Sequence, residues 1–394
     1  MRRDFEIIVA GGGPAGLAAA CLLAKEGRRV ALIAGTHSPK DDPRTVALMQ
    51  PSIKLLAGLG LWTAALQSQI SPLRRLRMID DTGSALRAPA ITFDPAEIGE
   101  EVFGWNIPLA LLVPALAARA RELGVSMIAA DVTAARVTGT MIEVATSAGT
   151  FMGQVALAAD GRKSALRDAA HIPCNAWDYE QTAIATSFDH TADHDGISTE
   201  YHRSAGPFTT VPMPGKRSSL VWLERPTRAA ELMELDNASL AAEIQLATHG
   251  ELGRVSGIGP RQAFPMHCLV ARSFAANRTL LVGEAGHVAP PIGAQGLNMA
   301  LRDGAQAAEL MAGAADPGAA GILEEYDRLR RRDVWPRQQV IHLMNRSLLS
   351  GFLPLEMARG LGLELIAALP PLRRYVMGQG LGLPSANTVG NQAS

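Results

Sequence analysis

The sequence has little of what marks a secreted, metal-binding or nucleic-acid-binding protein. Its 394 residues include only 3 cysteines, Cys21, Cys174 and Cys268, which are widely spaced. An odd number at such spacing argues against a disulfide framework and a zinc site, and it favours a reducing, cytoplasmic setting. The formal net charge is −1, and no basic stripe with interleaved aromatic residues occurs. Nucleic acid is therefore not an expected partner.

Long uncharged apolar runs are missing as well. Residues 5–24 follow Arg2 and Arg3, as a signal peptide would, but Gly-Gly-Gly-Pro at 11–14 breaks any continuous apolar helix. No other window reaches the ~18–20 uncharged apolar residues that a membrane span needs. The sequence thus predicts neither a signal peptide nor a transmembrane helix.

The C-terminal region is apolar but interrupted. Arg346, Pro354 and Arg359 break the stretch 342–369, which predicts short amphipathic helices. Packing on the core is the plainer interpretation, and a surface for a membrane or a partner protein is the alternative that stays open. The polar tail 384–394 is expected to be disordered.

A glycine motif near the N-terminus has the context of a dinucleotide site. Gly11, Gly13 and Gly16 give G-x-G-x-x-G between a predicted strand, 5–9, and a predicted helix, 17–25. Gly11 suits the tight turn, Gly13 the approach of a pyrophosphate, and Gly16 close helix–strand packing. The strand–turn–helix order makes dinucleotide binding the favoured interpretation over an ordinary glycine turn.

One residue of this pattern is missing. An acid that accepts the adenosine ribose hydroxyls usually ends the second strand, here 28–33. Ala34 and Gly35 stand there instead, and the next acidic residue is Asp41. The ribose is then held by the backbone or by a residue from elsewhere, or the affinity is lower than usual.

Two further motifs have the same strand-and-turn form. Thr279–Val282 predicts a buried strand that Gly283 ends, a loop stiffened by Pro290 and Pro291 follows, and a helix is predicted from Gly293. The free N–H groups at such a helix start favour an anion. In the third motif a strand ends in Asp160-Gly161, where a carboxylate could meet a ribose.

The rest of the chain predicts an interleaved α/β architecture. Apolar spacing is helical in two segments, 46–61 and 109–123, and extended in three others, 125–129, 136–144 and 151–159. The middle of the chain is mostly alternating strand: 73–79, 85–93 and 182–224, with a helix at 239–249. We expect a cofactor domain built from separated segments with a mostly antiparallel sheet inserted into it.

Taken together, the motifs resemble those of FAD-dependent monooxygenases of the para-hydroxybenzoate hydroxylase type. The resemblance rests on GGGPAG at 11–16, AADGRKSALR at 158–167 and GEAGHVAPPIGAQGLNMALRD at 283–303. Flanking segments at 42–62, 104–108 and 371–382 are similar to the ubiquinone-biosynthesis hydroxylases, so the resemblance covers nearly the whole chain.

The resemblance implies an α/β fold with a Rossmann-like FAD-binding domain, an inserted mostly antiparallel β-sheet substrate domain and a C-terminal helical region. The implied segments are 1–70, 99–177 and 272–340 for FAD, 71–98 and 178–271 for substrate, and 341–383 for the C-terminal helices.

It also implies the residues that contact the cofactor. They are Gly11, Gly13, Pro14, Ala15, Gly16, Arg44, Asp160, Gly161, Gly283, Glu284, Pro291, Gly293, Ala294, Gln295, Gly296, Leu297 and Asn298. Glu284 stands where the family usually has Asp and would hold the ribityl chain. Gln295 and Gly296 would contact the pyrimidine side of the flavin through their backbone.

The implied activity is hydroxylation of a prenylated phenol in ubiquinone biosynthesis, with NAD(P)H, O2 and a flavin C4a-hydroperoxide. Because the chemistry resides on the cofactor, no protein nucleophile is predicted. An aromatic hydroxylase of catabolism or secondary metabolism, and a non-catalytic subunit of a quinone-biosynthesis complex, are the alternatives. The expected location is the cytoplasm. Three possibilities stay open: peripheral contact with the inner face of the cell membrane, contact with such a complex, and a homo-oligomer.

Histidines offer weaker candidates. His287 could act as an acid or base, although hydrogen bonding to the loop backbone is the favoured interpretation. His190 and His194 lie among aspartates in a turn-rich segment, which indicates a solvated loop rather than a metal site. His267 and Cys268 either line the substrate cavity or belong to an ordinary strand.

Overall fold

The computed structural model describes residues 3–35, 42–83, 88–349, 362, 364–366 and 368–381. The predicted tail 384–394, the start of the predicted strand 85–93 and much of 350–367 lie outside these residues.

The strands fall into four sheets. In chain order they are β1 Arg3–Asp4, β2 Ile7–Ala10, β3 Val30–Ala34, β4 Thr45–Met49, β5 Ser71–Leu73, β6 Arg75–Asp80, β7 Ile91–Phe93, β8 Gly104–Pro108, β9 Ser126–Ala129, β10 Val132–Thr138, β11 Met141–Thr146, β12 Gly149–Gly153, β13 Val155–Ala158, β14 Cys174–His190, β15 Ile197–Arg203, β16 Gly206–Met213, β17 Arg217–Glu224, β18 Val255–Ser256, β19 Gln262–Ala271, β20 Ala275–Ala276, β21 Thr279–Leu281 and β22 His287–Val288.

Helices separate and cover these strands. The labelled helices are α1 Pro14–Lys25, α2 Gln50–Gly58, α3 Ala64–Gln67, α4 Leu109–Glu122, α5 Ala165–Ala169, α6 Pro226–Glu234, α7 Asn237–Ala247, α8 Gln295–Met311 and α9 Ala320–Leu349. A further helix, Pro370–Leu381, lies near the C-terminus. None of the helices in the described residues combines the length and apolar composition that a bilayer crossing requires.

The central sheet is parallel except at one edge. Its order is β20-β21-β13-β2-β3-β9, and only β20 runs antiparallel to its neighbour. The strands are short apolar runs, and all of β2 is buried because helices cover both faces of such a sheet. From β2 the chain adds strands first on one side and later on the other. Ligands bind at the carboxyl ends of strands where the order reverses in this way.

Small residues let the covering helices approach closely. Ala18, Ala19 and Ala20 of α1 are fully buried. A side chain at Gly304 of α8 would come within 3.1 Å of Cβ of Ala19. The two helices that begin at the candidate cofactor loops therefore pack directly on each other.

The second large sheet is mostly antiparallel. Its order is β22-β19-β14-β17-β16-β15-β6-β7, with β18 on β14, and only the β15–β6 pairing is parallel. Helices α6 and α7 pack on a separate apolar cluster that includes Phe188, Phe208 and Trp222 of its strands. This sheet has its own core, distinct from that of the parallel sheet.

Two small sheets complete the fold. β4, β8 and β5 form one, with β8 in the centre, and the strands β1-β12-β11-β10 form the other. A third apolar cluster, with Met49, Leu73, Phe103, Val211 and Met377, joins the first small sheet to the antiparallel sheet and to the C-terminal helix. The predicted α/β class, with its inserted antiparallel sheet, is confirmed.

Two local predictions were wrong, and one helix was not predicted. The segment 46–61 is not one helix, because residues 45–49 pair with β8 and the helix begins only at Gln50, one residue before Pro51. The strand 136–144 is a hairpin of β10 and β11, which turns at Gly139 with φ +61°. Short apolar runs do not distinguish strand from helix by periodicity alone. Helix α6, which begins at Pro226, was not predicted.

Candidate functional site

The first glycine motif and the Asp160 turn lie against each other. The amide of Ala159 donates to the carbonyl of Ala10 at 2.8 Å. Gly11 has φ +116°, and a side chain there would overlap the carbonyl of Ala159. A side chain at Gly16 would overlap the carbonyl of Gly11. Only glycine allows the two turns to pack this closely.

The turn after β21 joins them at the same edge of the sheet. The amide of Val282 donates to the carbonyl of Ala158 at 2.8 Å. Gly283 has φ +62°, and a side chain there would come within 3.1 Å of Cβ of Ala300 and 3.4 Å of Cβ of Ala15. The three sequence motifs, more than 110 residues apart along the chain, therefore meet at the carboxyl ends of adjacent parallel strands.

The meeting point has unfilled polar capacity. No side chain caps the N-terminus of α1 or of α8, so the amides of their first turns remain available. A side chain at Gly13, Gly161 or Gly296 would meet no atom within 4 Å. Oδ1 of Asp160 is buried and has no hydrogen-bond partner in the part of the chain that the structure describes. These features fit the phosphates and the ribose of a dinucleotide.

Helix α8 begins two residues later than predicted. Gly293 and Ala294 have φ +63° and +54°, so the helix starts at Gln295 rather than at Gly293. The side chain of Gln295 donates to the carbonyls of Gly293 at 3.1 Å and Gly380 at 2.8 Å. The left-handed backbone of Gly293 and Ala294 turns the loop, so that the first amides of α8 lie at the end of this loop.

The side chain of Asn298 is fully used inside the protein. Its Oδ1 accepts from the amide of Met49 at 2.9 Å and from the hydroxyl of Ser52 at 2.7 Å. Its Nδ2 donates to the carbonyls of Ala47 at 2.8 Å and Ala294 at 2.7 Å. Asn298 thus ties the loop before α8 to β4 and α2, and only its backbone is left for a cofactor.

Arg44 lies between the cofactor loops and the antiparallel sheet. Its Nε and Nη2 donate to Asp42 at 2.8 and 2.6 Å, and its guanidinium carbon lies 5.3 Å from the ring centre of Phe264 in β19. Hydrogen bonding to Asp42, with a smaller contribution from the charge of Glu284, raises the pKa of Arg44. The arginine therefore stays cationic where the two large sheets meet.

Glu284 remains open to solvent. Its side chain is 62% exposed, and its Oε2 lies 3.7 Å from Nε of Arg162. Arg162 belongs to the Asp160 motif but was not among the predicted contacts. An ion pair this long and exposed contributes little to stability, so Glu284 is free to exchange it for a ligand hydroxyl.

Behind these loops lies a buried group of ionisable residues, the Asp303 cluster: Asp303, His287, Arg330 and Asp333. Oδ2 of Asp303 accepts from the amide of Gly283 at 2.8 Å and contacts Nε2 of His287 at 2.7 Å. Oδ1 of Asp303 lies 2.7 Å from Nη2 of Arg330, an ion pair without hydrogen-bond alignment. Asp303 is fully buried, and His287 and Arg330 nearly so.

The charges of this cluster compensate one another. Burial alone would raise the pKa of Asp303, but Arg330 and His287 outweigh it and hold that pKa below its ordinary value. Asp333 pairs with Arg330 at 2.9 Å, with Arg302 at 3.1 Å and with Arg337 at 2.6 Å. Burial likewise opposes, and these three arginines together lower, the pKa of Asp333.

His287 therefore has a different partner from the one expected. It contacts a carboxylate of α8 rather than a backbone group of its own loop. Its ring is part of the Asp303 cluster, and its contact with Asp303 gives it a structural role in holding the turn after β21.

The other candidate histidines lie away from the three motifs. His190 contacts the carbonyl of Ala192 and the hydroxyl of Ser218, and His194 contacts the carbonyl of Met213. Within the described residues no group of three or more His, Cys, Asp or Glu side chains could hold a metal ion. His267 forms an exposed pair with Asp178 of the neighbouring strand β14.

Asp303 and Arg330 were not predicted from the sequence, although the sequence contains a signal for both. Asp303 lies four residues from Met299 and from Ala307 on the buried face of α8, and Arg330 lies four residues from Tyr326 and Val334 on that of α9. A charge on the apolar face of a helix indicates a buried partner.

The geometry agrees with comparisons of sequence and structure. Residues 4–339 match the family described as FAD binding domain. The chain is 32% identical over 390 residues to the ubiquinone hydroxylase UbiL of Rhodospirillum rubrum. This match covers 96% of this chain and 89% of that protein. It is 27% identical to the 3-demethoxyubiquinol 3-hydroxylase of Escherichia coli, over 96% and 98% of the two chains. The p-nitrophenol 4-monooxygenase PnpA of Pseudomonas putida shares the fold, with a TM-score of 0.78, 18% identity, and 98% and 100% coverage.

Substituting Gly13→Ala tests whether a pyrophosphate lies against the first motif. Gly13 has φ −73° and open space at its Cβ, so alanine leaves the fold of the apoprotein intact. We expect an unchanged melting temperature and FAD binding weakened at least about tenfold, because the methyl group occupies the phosphate position. The control is Gly321→Ala in α9, also an open position. Equal FAD affinity in both variants, measured by flavin fluorescence, would contradict this placement.

Substituting Asp303→Asn tests the Asp303 cluster. The change leaves the buried Arg330 with Asp333 as its only remaining carboxylate partner here and leaves His287 without its carboxylate, so we expect a loss of about 3–5 kcal/mol in the free energy of unfolding. Urea unfolding of the apoprotein measures it. Glu325→Gln breaks the exposed pair with Arg328 and should give no measurable loss. A similar result for both variants would show that the cluster does not stabilise the fold.

Proposed function

Because the chain belongs to the FAD binding domain family, we propose that it is an FAD-dependent monooxygenase of ubiquinone biosynthesis. It uses NAD(P)H and O2 to hydroxylate the aromatic ring of a prenylated phenol, the precursor of a quinone. The names of the full-length relatives support the substrate class. The observation that carries the proposal is the meeting of the three motifs around open glycines, uncapped helix starts and the unpaired Oδ1 of Asp160.

The proposed cofactor site has two ends. At one end Gly11, Gly13, Pro14, Ala15 and Gly16 receive the pyrophosphate at the start of α1. At the other end the contacts come from the turn after β21 and the start of α8, together with Asp160 and Gly161. The residues at that end are Gly283, Glu284, Pro291, Gly293, Ala294, Gln295, Gly296, Leu297 and Asn298.

The proposed domains follow from this arrangement. Segments 1–70, 99–177 and 272–340 hold FAD, and 71–98 with 178–271 form the substrate side. Arg44 belongs to the cofactor domain and contacts Phe264 of the substrate sheet, so the reacting ring is expected where these two meet.

Bound FAD supplies the redox chemistry: it accepts a hydride from NAD(P)H and activates O2 for transfer of one oxygen atom to the substrate ring. The protein supplies position and charge. The free amides and positive dipole end of α8 favour negative charge on the ring bound against them. Asn298 fixes that helix start to β4, and the Asp303 cluster fixes the turn that bears Glu284. Arg44 adds a permanent positive charge at the same boundary.

The antiparallel sheet favours a neutral, apolar substrate over a small acid. A polar acid needs free cations, yet Arg203 pairs with Asp81 at 3.0 Å and Arg217 pairs with Asp189 at 2.5 Å. The side chain of Lys216 donates to the carbonyl of Thr191. These three cations, which could otherwise bind a small acid, are therefore already engaged.

An exposed stripe on α9 supports contact with a membrane surface, where a prenylated substrate would reside. Trp335, Val340 and Leu343 are 39%, 56% and 65% exposed, and they lie on one face of the helix. Arg332 and Arg346, both exposed, stand at the two ends of this stripe. Apolar side chains framed by cations suit the headgroup region of an anionic bilayer.

The activity has a direct test. The purified protein, reconstituted with FAD, should oxidise NAD(P)H and consume O2 with a prenylated phenol, and the product should gain one oxygen atom by mass spectrometry. Apoprotein without FAD is the control. A colourless protein that cannot take up FAD would instead favour a non-catalytic subunit, and NAD(P)H oxidation without O2 consumption would favour a reductase.

Deletion of the gene tests the pathway. We expect a prenylated quinone precursor that lacks one hydroxyl group to accumulate, and its structure identifies the ring carbon concerned. Unchanged quinone content in the deletion strain would contradict the proposed substrate.

The membrane contact is tested with Leu343→Glu. We expect the wild-type protein to sediment with vesicles that contain an anionic phospholipid, and the variant to bind about thirtyfold more weakly, since a buried leucine contributes roughly 2 kcal/mol. Leu246→Glu, at an exposed leucine of α7, is the matched control. Equal sedimentation of the two variants would contradict a membrane role for α9, even if the stripe binds a protein.

A further inference from the structure

The end of β3 lacks the acid that usually binds the adenosine ribose. Ala34 ends the strand, and its Cβ lies 2.7 Å from where a side chain at Gly12 would begin. The methyl group therefore packs against the first glycine motif and offers no hydrogen-bond acceptor. A carboxylate for the ribose has to come from another element.

The neighbouring strand β9 ends at the same edge. It runs parallel to β3, with Ala129 in register with Ala34. The amide of Ala130 donates to the carbonyl of Ala34 at 3.0 Å. The next residue, Asp131, therefore lies just beyond the end of the sheet, beside Gly35.

The carboxylate of Asp131 occupies the space that a side chain at position 35 would fill. A Cβ on Gly35 would overlap Oδ1 of Asp131 and would lie 3.3 Å from its Cγ. Gly35 has no positive φ, so its backbone does not require glycine. The absence of a side chain there leaves room for the carboxylate.

The backbone of Asp131 is fixed while its carboxylate stays free. Its amide donates to Oγ of Ser147 at 3.1 Å, and its carbonyl accepts from the amide of Ser147 at 3.0 Å. Among the described residues the carboxylate itself has no hydrogen-bond or ion-pair partner, and the residue is exposed. An exposed carboxylate on a fixed backbone, without a protein partner, is available to a ligand and adds no contact that stabilises the fold.

We propose that Asp131 supplies the ribose-binding carboxylate that β3 lacks, and that Gly35 gives it the room to do so. The inference rests on the proposed binding of FAD. The carboxylate of Asp131 would accept a hydrogen bond from a hydroxyl of the adenosine ribose. It would do so at the same sheet edge where an acid at the end of β3 would otherwise act.

The test compares ligands that do or do not contain this ribose. Asp131→Ala in the apoprotein should weaken binding of FAD and of ADP by the same factor, roughly tenfold or more, since the acceptor is charged. Binding of FMN, which has no adenosine, should not change. Glu122→Ala, which removes an exposed carboxylate of α4, is the control and should change none of these affinities.

Deoxygenated ligands give the sharper measurement. The wild-type protein should prefer ADP to 2′-deoxy-ADP or to 3′-deoxy-ADP, and Asp131→Ala should lose that preference. Ala34→Glu added to Asp131→Ala should recover FAD affinity, because it restores an acid on β3.

Each other result overturns the proposal. Unchanged FAD affinity in Asp131→Ala, an equal loss for FAD and FMN, or a ribose preference that survives the substitution shows that Asp131 does not bind the ribose. Those results leave the proposed function standing, because the wild-type protein still binds FAD. A wild-type protein that binds no FAD overturns both.

Discussion

The buried carboxylate of Asp303 is the point on which the cofactor side of the molecule depends. It accepts the amide of Gly283, contacts His287 and faces Arg330, so it joins the turn after β21, the helix α8 and the helix α9. A buried charge is tolerated only when it is paired, and here both partners come from different elements. The turn that presents Glu284 is therefore held from behind by buried side chains.

A second polar junction connects this side of the molecule to the substrate side. The four hydrogen bonds of Asn298 join the loop before α8 to β4 and α2, and Thr45 of β4 contacts Ser219 of the antiparallel sheet at 2.8 Å. Apolar packing alone would allow these layers to slide. Directional hydrogen bonds at the junction fix their register, so the space between the sheets has a defined shape.

The sequence predicted the parts of this arrangement that local physics determines. Glycines at strand ends, as at Gly11 and Gly283, have local signatures, and the order of strands brings them together. The side-chain role of Asn298 could not be predicted, since its partners lie about 250 residues earlier in the chain. The position of Asp131 was equally hidden, because it depends on the pairing of β3 with β9 across a segment of more than 90 residues.

Helix α9 carries both a residue of the Asp303 cluster and the exposed apolar stripe. Arg330, in the first half of the helix, lies in the Asp303 cluster, and the exposed stripe around Leu343 lies about three and a half turns further along. Both lie on one continuous helix, and Pro336 between them is the one interior proline of that helix, where it can bend. The proposed membrane contact would therefore also bias the tilt of the cofactor turn relative to the lipid, and with it the side from which a prenyl chain enters.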